Sequence, residues 1–386
     1  MRILSVHNNY QIRGGEDESR ESEERLLREM GHEVDVYEEH NDRVATIGAA
    51  KMALRTIWSD ESYNIVREKL QKSPMDLMHV QNFFPLISPS IYYAAKSAGV
   101  PVVQTLRNYR LLCSNGLFFR EGQVCEDCLG KFIPYPGVIN GCYRENKAAS
   151  AVVASMLVTH RSLQTWTKMV NKYICLTEFA RQKFIAAGFP PEKIAVKPNF
   201  IPDPGMGDGS GGYALFVGRL SVEKGLDTLL SAWEKIGGKM PLKIVGDGPL
   251  SERVQQITQK LPQVEWLGRQ PMPEVHRLMG SARVLIFPSE WYETFGRVAA
   301  EAFAKGTPVI AAKIGAIAEL VEHGRTGLQF QPGNVEDLVE QVEWVLNHPA
   351  EFDRMRLVVR NEYETKYTPQ KSYTKLMEIY GLVGKK

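Results

Sequence analysis

Short apolar runs alternate with longer stretches of helical spacing along most of the chain. In the first half, residues 2–6, 34–37, 77–80 and 102–106 read as buried strands, and 174–177 and 195–197 as later strands of the same sheet. Runs this uniformly apolar, separated by helical stretches, predict parallel strands covered on both faces. A helix over about 16–30 stops at Gly31, a common C-terminal signal. A joint rich in proline and glycine then runs from Pro198 to Gly212. After it the alternation restarts, with strands over 214–218, 242–245, 264–267, 284–287 and 308–312. The pattern predicts two α/β domains, residues 1–200 and 201–368, and a last helix within 369–386 that packs back across the joint. Two such Rossmann-like domains would face each other across a cleft and take a ligand between them.

A chain of 386 residues fits two cores. Its 44% hydrophobic and 24% charged content excludes a disordered or fibrous protein. The net charge of +2 carries no nucleic-acid signature, so no nucleic-acid partner is expected. Its distribution is uneven. Residues 1–100 hold 12 Lys/Arg against 16 Asp/Glu, and residues 101–200 hold 13 against 6. The second block therefore suits an anionic partner, such as a phosphorylated acceptor or an acidic lipid surface, or forms a solvated basic face. The start of the chain has no apolar leader region or cleavage site. The longest apolar stretch, 148–158, is broken by Ser150 and Ser155 and is too short to span a bilayer. The expectation is a cytoplasmic protein, with peripheral contact at the inner membrane face left open. The segment 148–170 reads as a packed helix ahead of an interfacial one. Oligomeric state is not encoded in any of these patterns.

The densest chemistry follows the joint. A buried strand ends at Gly218, and Arg219 and Lys224 follow before Gly225 and a helix. Cations at the carboxyl end of a parallel strand lie where such folds bind ligands, and they suit a diphosphate. In a second segment, Phe287-Pro288-Ser289-Glu290-Trp291-Tyr292-Glu293-Thr294-Phe295-Gly296-Arg297 leads into a helix carrying Glu301. Strand, loop, glycine and helix start present backbone N–H groups to an anion. The carboxylates of Glu293 and Glu301 only accept hydrogen bonds, so they suit hydroxyl pairs on a sugar and a ribose.

These residues resemble the retaining glycosyltransferases of family four, the group 1 transferases with the GT-B fold. The resemblance rests on Arg219 with Lys224-Gly225, on Gly246-Asp247-Gly248-Pro249, and on Glu293 and Glu301 eight residues apart. Ala304-Lys305-Gly306-Thr307-Pro308 and Gly324-Arg325-Thr326-Gly327 continue it. It is dense over residues 213–337 and looser before 200. It implies transfer of a hexose-type sugar from a nucleotide-sugar, UDP- or GDP-linked, to a glycan, lipid-linked or small-molecule acceptor. Arg219, Lys224 and Glu293 would be catalytic. The amides of Phe295, Gly296 and Arg297 would support the diphosphate, with Gly246 beside it. Glu301 would hold the ribose, and the backbone at Leu267-Gly268 would meet the base. Gly14-Gly15 resembles the family's glycine loop after the first strand. Retention without a metal cofactor is implied as well, and no Asp-x-Asp is placed to hold a catalytic cation. Other GT-B activities, epimerase or phosphorylase, and a silent nucleotide-sugar binder are the alternatives.

Two features stand apart. Many relatives carry a histidine after the strand at 102–106, where this chain has Arg107 followed by Asn108. Arg107 cannot act as a base; contact with a donor hydroxyl, contact with an acceptor phosphate, and a local ion pair all fit it. Cys113, Cys125, Cys128 and Cys142 bracket an insertion over about 110–145 and suit a closed structural zinc site. Packed thiols, or a redox pair of Cys125 and Cys128, fit the same spacing. Cys175 reads as core.

Overall fold

The computed structural model describes residues 1–383. The chain divides into two units. The first comprises residues 1–118 and 126–198 together with the end of the chain from Ser372; the second comprises 119–125 and 199–371.

The first unit holds a parallel sheet of β1 (Arg2–Asn9), β2 (Glu33–His40), β3 (Leu77–Val80), β4 (Val102–Leu106), β7 (Lys172–Cys175) and β8 (Ile194–Val196). Their order is β2-β1-β3-β4-β7-β8. Between β4 and β7 a short antiparallel hairpin, β5 (Phe119–Arg120) and β6 (Gln123–Val124), belongs to the second unit. The hairpin carries no apolar alternation, so periodicity could not reveal it. One core of the first unit joins Ile3, Leu77, Val103 and Ile174 of the sheet to Leu376, Ile379 and Tyr380 of the last helix, Pro369–Gly381. That helix starts in the second unit, and from Ser372 onward its residues belong to the first.

The second unit repeats the plan with β9 (Ala214–Val217), β10 (Leu242–Val245), β11 (Val264–Trp266), β12 (Val284–Phe287), β13 (Val309–Ala312) and β14 (Gly327–Phe330). All pairs are parallel, in the order β11-β10-β9-β12-β13-β14. Leu229, Trp233, Ile244, Ile286, Phe330 and Val342 are among the residues that fill the core between this sheet and its helices. The order reverses between β9 and β12. The chain leaves these adjacent strands in opposite directions, which opens a crevice at their carboxyl ends. Both segments singled out for chemistry emerge there.

The helix Lys147–Ser162 buries Val153, Ala154, Met156, Leu157 and His160, as a packed helix should. Among the described residues no helix is long and apolar enough to cross a membrane.

Candidate functional site

The crevice of the second unit is assembled by close backbone approaches. Gly225 has φ +69°, and a Cβ on it would lie 1.9 Å from the Pro288 carbonyl oxygen. Only glycine lets the segment after β9 press on the segment after β12. Gly246 has φ +140°, and its Cβ would meet the Gly218 carbonyl oxygen at 1.9 Å. Backbone bonds fasten the same contact: Gly218 N–H to the Val245 carbonyl (3.0 Å) and Leu220 N–H to that of Asp247 (2.8 Å). Glu290 N–H donates to the Glu223 carbonyl at 2.9 Å, joining the two chemical segments directly.

This arrangement brings Lys224 to Glu293. Lys224 Nζ donates to Glu293 Oε1 at 2.5 Å, and the same oxygen accepts from Trp291 Nε1 (3.0 Å) and Ser289 Oγ (3.1 Å). Glu293 N–H also donates to the Trp291 carbonyl at 3.0 Å, a tight turn that folds the loop back and gathers Ser289, Trp291 and Glu293 around one carboxylate oxygen. Lys224 Nζ lies 5.2 Å from the centre of the Trp291 ring and 5.9 Å from that of Phe287, within cation–π range. Sequence reasoning did not assign Ser289 or Trp291; their spacing from Glu293 was the available signal. Arg219 is exposed, and its guanidinium has no protein partner among the described residues.

Beside this cluster Gly296 caps the helix Arg297–Ala304. The first N–H groups of a helix lack intrahelical acceptors and carry its positive end. Phe295 is buried and its ring meets Tyr367 edge-on. Glu301 is buried, and Arg297 Nε donates to its Oε1 at 2.8 Å. Glu301 is thus a partnered carboxylate among the buried Ala299, Ala300, Ala302 and Phe303. Leu267 is committed at both backbone groups, its N–H to the Ile244 carbonyl and its carbonyl to Gln270 Nε2. Gly268, whose carbonyl accepts from Gly246 N–H, completes the rim.

In the first unit, Gly14 caps the helix Gly15–Glu29, and its N–H donates to Asp17 Oδ2 at 3.0 Å. Asp17 Oδ1 is 2.8 Å from the buried His7 Nε2. Glu16, Asp17 and Glu18 in the first turn oppose the positive end of this helix, and the Gly14 amide is already occupied. Asn108 lies against the same loop, with Nδ2 at 3.3 Å from both Tyr10 Oη and Glu16 Oε1.

Arg107 is buried, and its Nε donates to Gln81 Oε1 at 2.9 Å. Gln81 Nε2 in turn donates to Glu23 Oε1 (2.7 Å), while Lys197 Nζ is 2.9 Å from Glu23 Oε2. Burial pushes the Glu23 carboxyl up, but Lys197, His79 and Arg107 outweigh it and hold it at about 2. Burial drives His79 down to about 4, against the pull of Glu23. The neutral imidazole lies 2.8 Å from Thr105 Oγ1 through Nε2, and 2.7 Å from Tyr380 Oη through Nδ1. Lys197 Nζ also reaches Ser372 Oγ at 3.0 Å. No sequence spacing foretold this cluster, because its members come from distant stretches of the chain.

Of the four cysteines in the insertion, Cys113 donates through Sγ to Asn115 Oδ1 at 3.0 Å, and Cys128 lies 3.9 Å from the Pro134 carbonyl oxygen. Among the described residues no three His, Cys, Asp or Glu side chains are gathered to hold a metal ion. The zinc expectation therefore rests on the spacing of Cys113, Cys125, Cys128 and Cys142 alone. Cys175 is core, as expected.

Two family models together match most of the chain. Residues 24–203 match the glycosyltransferase family 4 model, and residues 208–362 match the model for glycosyl transferases group 1. The chain belongs to the group 1, family 4-like glycosyltransferases. It is 33% identical to the sulfoquinovosyl transferase SQD2 of Arabidopsis thaliana over 42% of this chain and 32% of that protein. It is 31% identical to a glycogen synthase of Mycobacterium tuberculosis over 43% of this chain and 41% of that one. It thus spans less than half the length of both curated relatives. Among solved structures, Anabaena HepE in complex with UDP superposes with a TM-score of 0.70 at 18% identity, covering 99% of this chain and 100% of that one. Both units have the Rossmann-like parallel sheets of GT-B glycosyltransferases.

Proposed function

We propose that the protein transfers a hexose-type sugar from a nucleoside diphosphate sugar to a glycan, lipid-linked or small-molecule acceptor. Transfer retains anomeric configuration and needs no metal ion. The observation that carries this reading is the Lys224–Glu293 pair at the switch between β9 and β12, beside Arg219 and the start of the helix Arg297–Ala304. Breaking the anomeric C–O bond leaves positive charge on the sugar ring and negative charge on the departing diphosphate. Lys224, Arg219 and the helix amides stabilise that leaving group, and fixed charges of this kind lower the barrier without reorganising. Glu293 has two parts: it orients the Lys224 ammonium and accepts from donor-sugar hydroxyls. Glu301 accepts from the ribose. The acceptor hydroxyl attacks the anomeric carbon from the leaving group's side, and its proton passes to a departing phosphate oxygen. The UDP complex of HepE supports a uridine nucleotide as the first donor to test.

The test supplies UDP-, GDP- and ADP-sugars with candidate acceptors and follows the product's anomeric proton by NMR. Retained configuration, undiminished after chelation of divalent ions, is the expected result. An inverted product overturns the retaining reading, and a donor altered without acceptor points to an epimerase.

A further inference from the structure

We propose that residues 131–139 form a docking face for an anionic lipid bilayer. Within this segment Phe132, Ile133, Tyr135 and Ile139 are 56%, 55%, 52% and 60% exposed. Other large exposed apolar residues are scattered singly along the described chain, from Met1 and Ile12 to Leu357 and Leu382. Four within eight residues is a different pattern, and exposed apolar groups clustered this way mark interaction surfaces.

The face is built on a fixed platform. Arg161 Nη1 donates to the carbonyls of Lys131 (2.6 Å) and Phe132 (2.7 Å), and Nη2 to that of Leu111 (2.9 Å). Pro134 and Gly137 are buried beneath, and a Cβ on Gly137 would lie 2.5 Å from Ser114 Oγ. Cys142 N–H closes on the Gly137 carbonyl at 2.9 Å. The short helix Tyr135–Ile139 packs on the helix Lys147–Ser162, beyond whose end Leu163 is also half-exposed. With the backbone pinned from below, the four apolar side chains are left facing solvent.

Charge selects the occupant. From Cys128 to Thr177 the chain holds Lys131, Arg144, Lys147, Lys168 and Lys172 besides the carbonyl-bound Arg161, and one acidic residue, Glu145; Asp127 and Glu178 border the stretch. Lys131, Arg144 and Lys147 are exposed beside the apolar segment. Lys131 Nζ lies 5.6 Å from the centre of the Tyr135 ring, so its stem follows the apolar surface. Exposed aromatic and branched aliphatic side chains with exposed cations close by in the sequence match the interface of a membrane rich in anionic lipid, where the apolar tips enter the acyl boundary and the cations meet phosphates. The four apolar side chains are each more than half exposed, which favours a fluid layer over a shaped protein partner.

Vesicle flotation of the full chain tests this without reference to sugar transfer. Vesicles of phosphatidylcholine with a quarter of phosphatidylglycerol should bind about tenfold or more tightly than phosphatidylcholine alone, and high salt should erase the preference. Phe132→Ser with Ile139→Ser should cut binding to the anionic vesicles by about tenfold at unchanged Tm, since both side chains are exposed. Arg144→Glu with Lys147→Glu, also exposed, should remove the anionic preference. Absence of vesicle binding by the native chain, or equal binding by native and variant proteins, overturns the proposal. So does a native dimer that Phe132→Ser converts to monomer, which would make the face a contact between two copies.

Discussion

Lys224 and Glu293, 69 residues apart, meet at 2.5 Å because Gly225 lets the segment after β9 lie against Pro288. On the proposed reading, the pair holds the Lys224 ammonium for the leaving diphosphate. Its two members should therefore behave as one unit. Lys224→Ala and Glu293→Gln should each lower turnover on the order of 10²-fold. The double variant should lose far less than the product of the two losses. Multiplicative losses in kcat would show that Glu293 acts independently of Lys224.

Glu301 is expected to serve the nucleotide. Glu301→Gln should weaken binding of the free nucleoside diphosphate, as read by calorimetry, while Arg297 stays available to the new amide. Unchanged affinity for the free nucleotide would remove the ribose from its role.

The glycine contacts make a prediction about folding. Gly246→Ala places a methyl group within the van der Waals radius of the Gly218 carbonyl oxygen at a positive φ. The cost should be about 2 kcal/mol or more, seen as a lower Tm. Gly14→Ala should cost less, about 1 kcal/mol for alanine at a helix N-cap, because nothing lies within 4 Å of a Cβ there. Equal Tm values for the two variants would contradict the packing described.

The buried cluster of Glu23, His79, Lys197 and Arg107 makes stability depend on pH. His79 falls to about 4 in the folded chain from an ordinary 6.5, so unfolding takes up a proton between those values. Glu23 falls to about 2 from 4.5, adding proton uptake at lower pH. Both depressed values give stability that is present above the unfolded pKa and lost as pH falls through the folded one. Stability should thus decline below about pH 6.5, with His79 contributing roughly 3 kcal/mol by pH 4. His79→Gln should flatten the Tm profile between pH 6.5 and 4. A slope that persists in this variant would assign the loss to other groups.

Both parallel sheets, and the two segments that meet in the second unit, were legible in the sequence. Apolar runs and glycine stops are local signals, and the strands they predict match observed ones to within a few residues. β14 was missed because Gly327 opens it and Gln329 interrupts its apolar run, so the stretch reads as a turn. Lys224 and Glu293 could be nominated as chemical groups, but their contact could not, because it depends on which strands become neighbours. The Glu23 cluster was hidden for the same reason, joining residues from Glu23 to Tyr380 with no common period. Arg107 kept three readings in sequence; its bond to Gln81 shows that part of its guanidinium serves this cluster.

Release of nucleoside diphosphate from a matched nucleotide-sugar, measured in the presence of acceptor, tests the central claim most directly. The native chain should release it in step with sugar transfer. Arg219→Ala, an exposed change that leaves the fold intact, should slow release on the order of 10²-fold, and Lys224→Ala at least as much. Native rates in either folded variant would contradict the assignment of these cations to the leaving group.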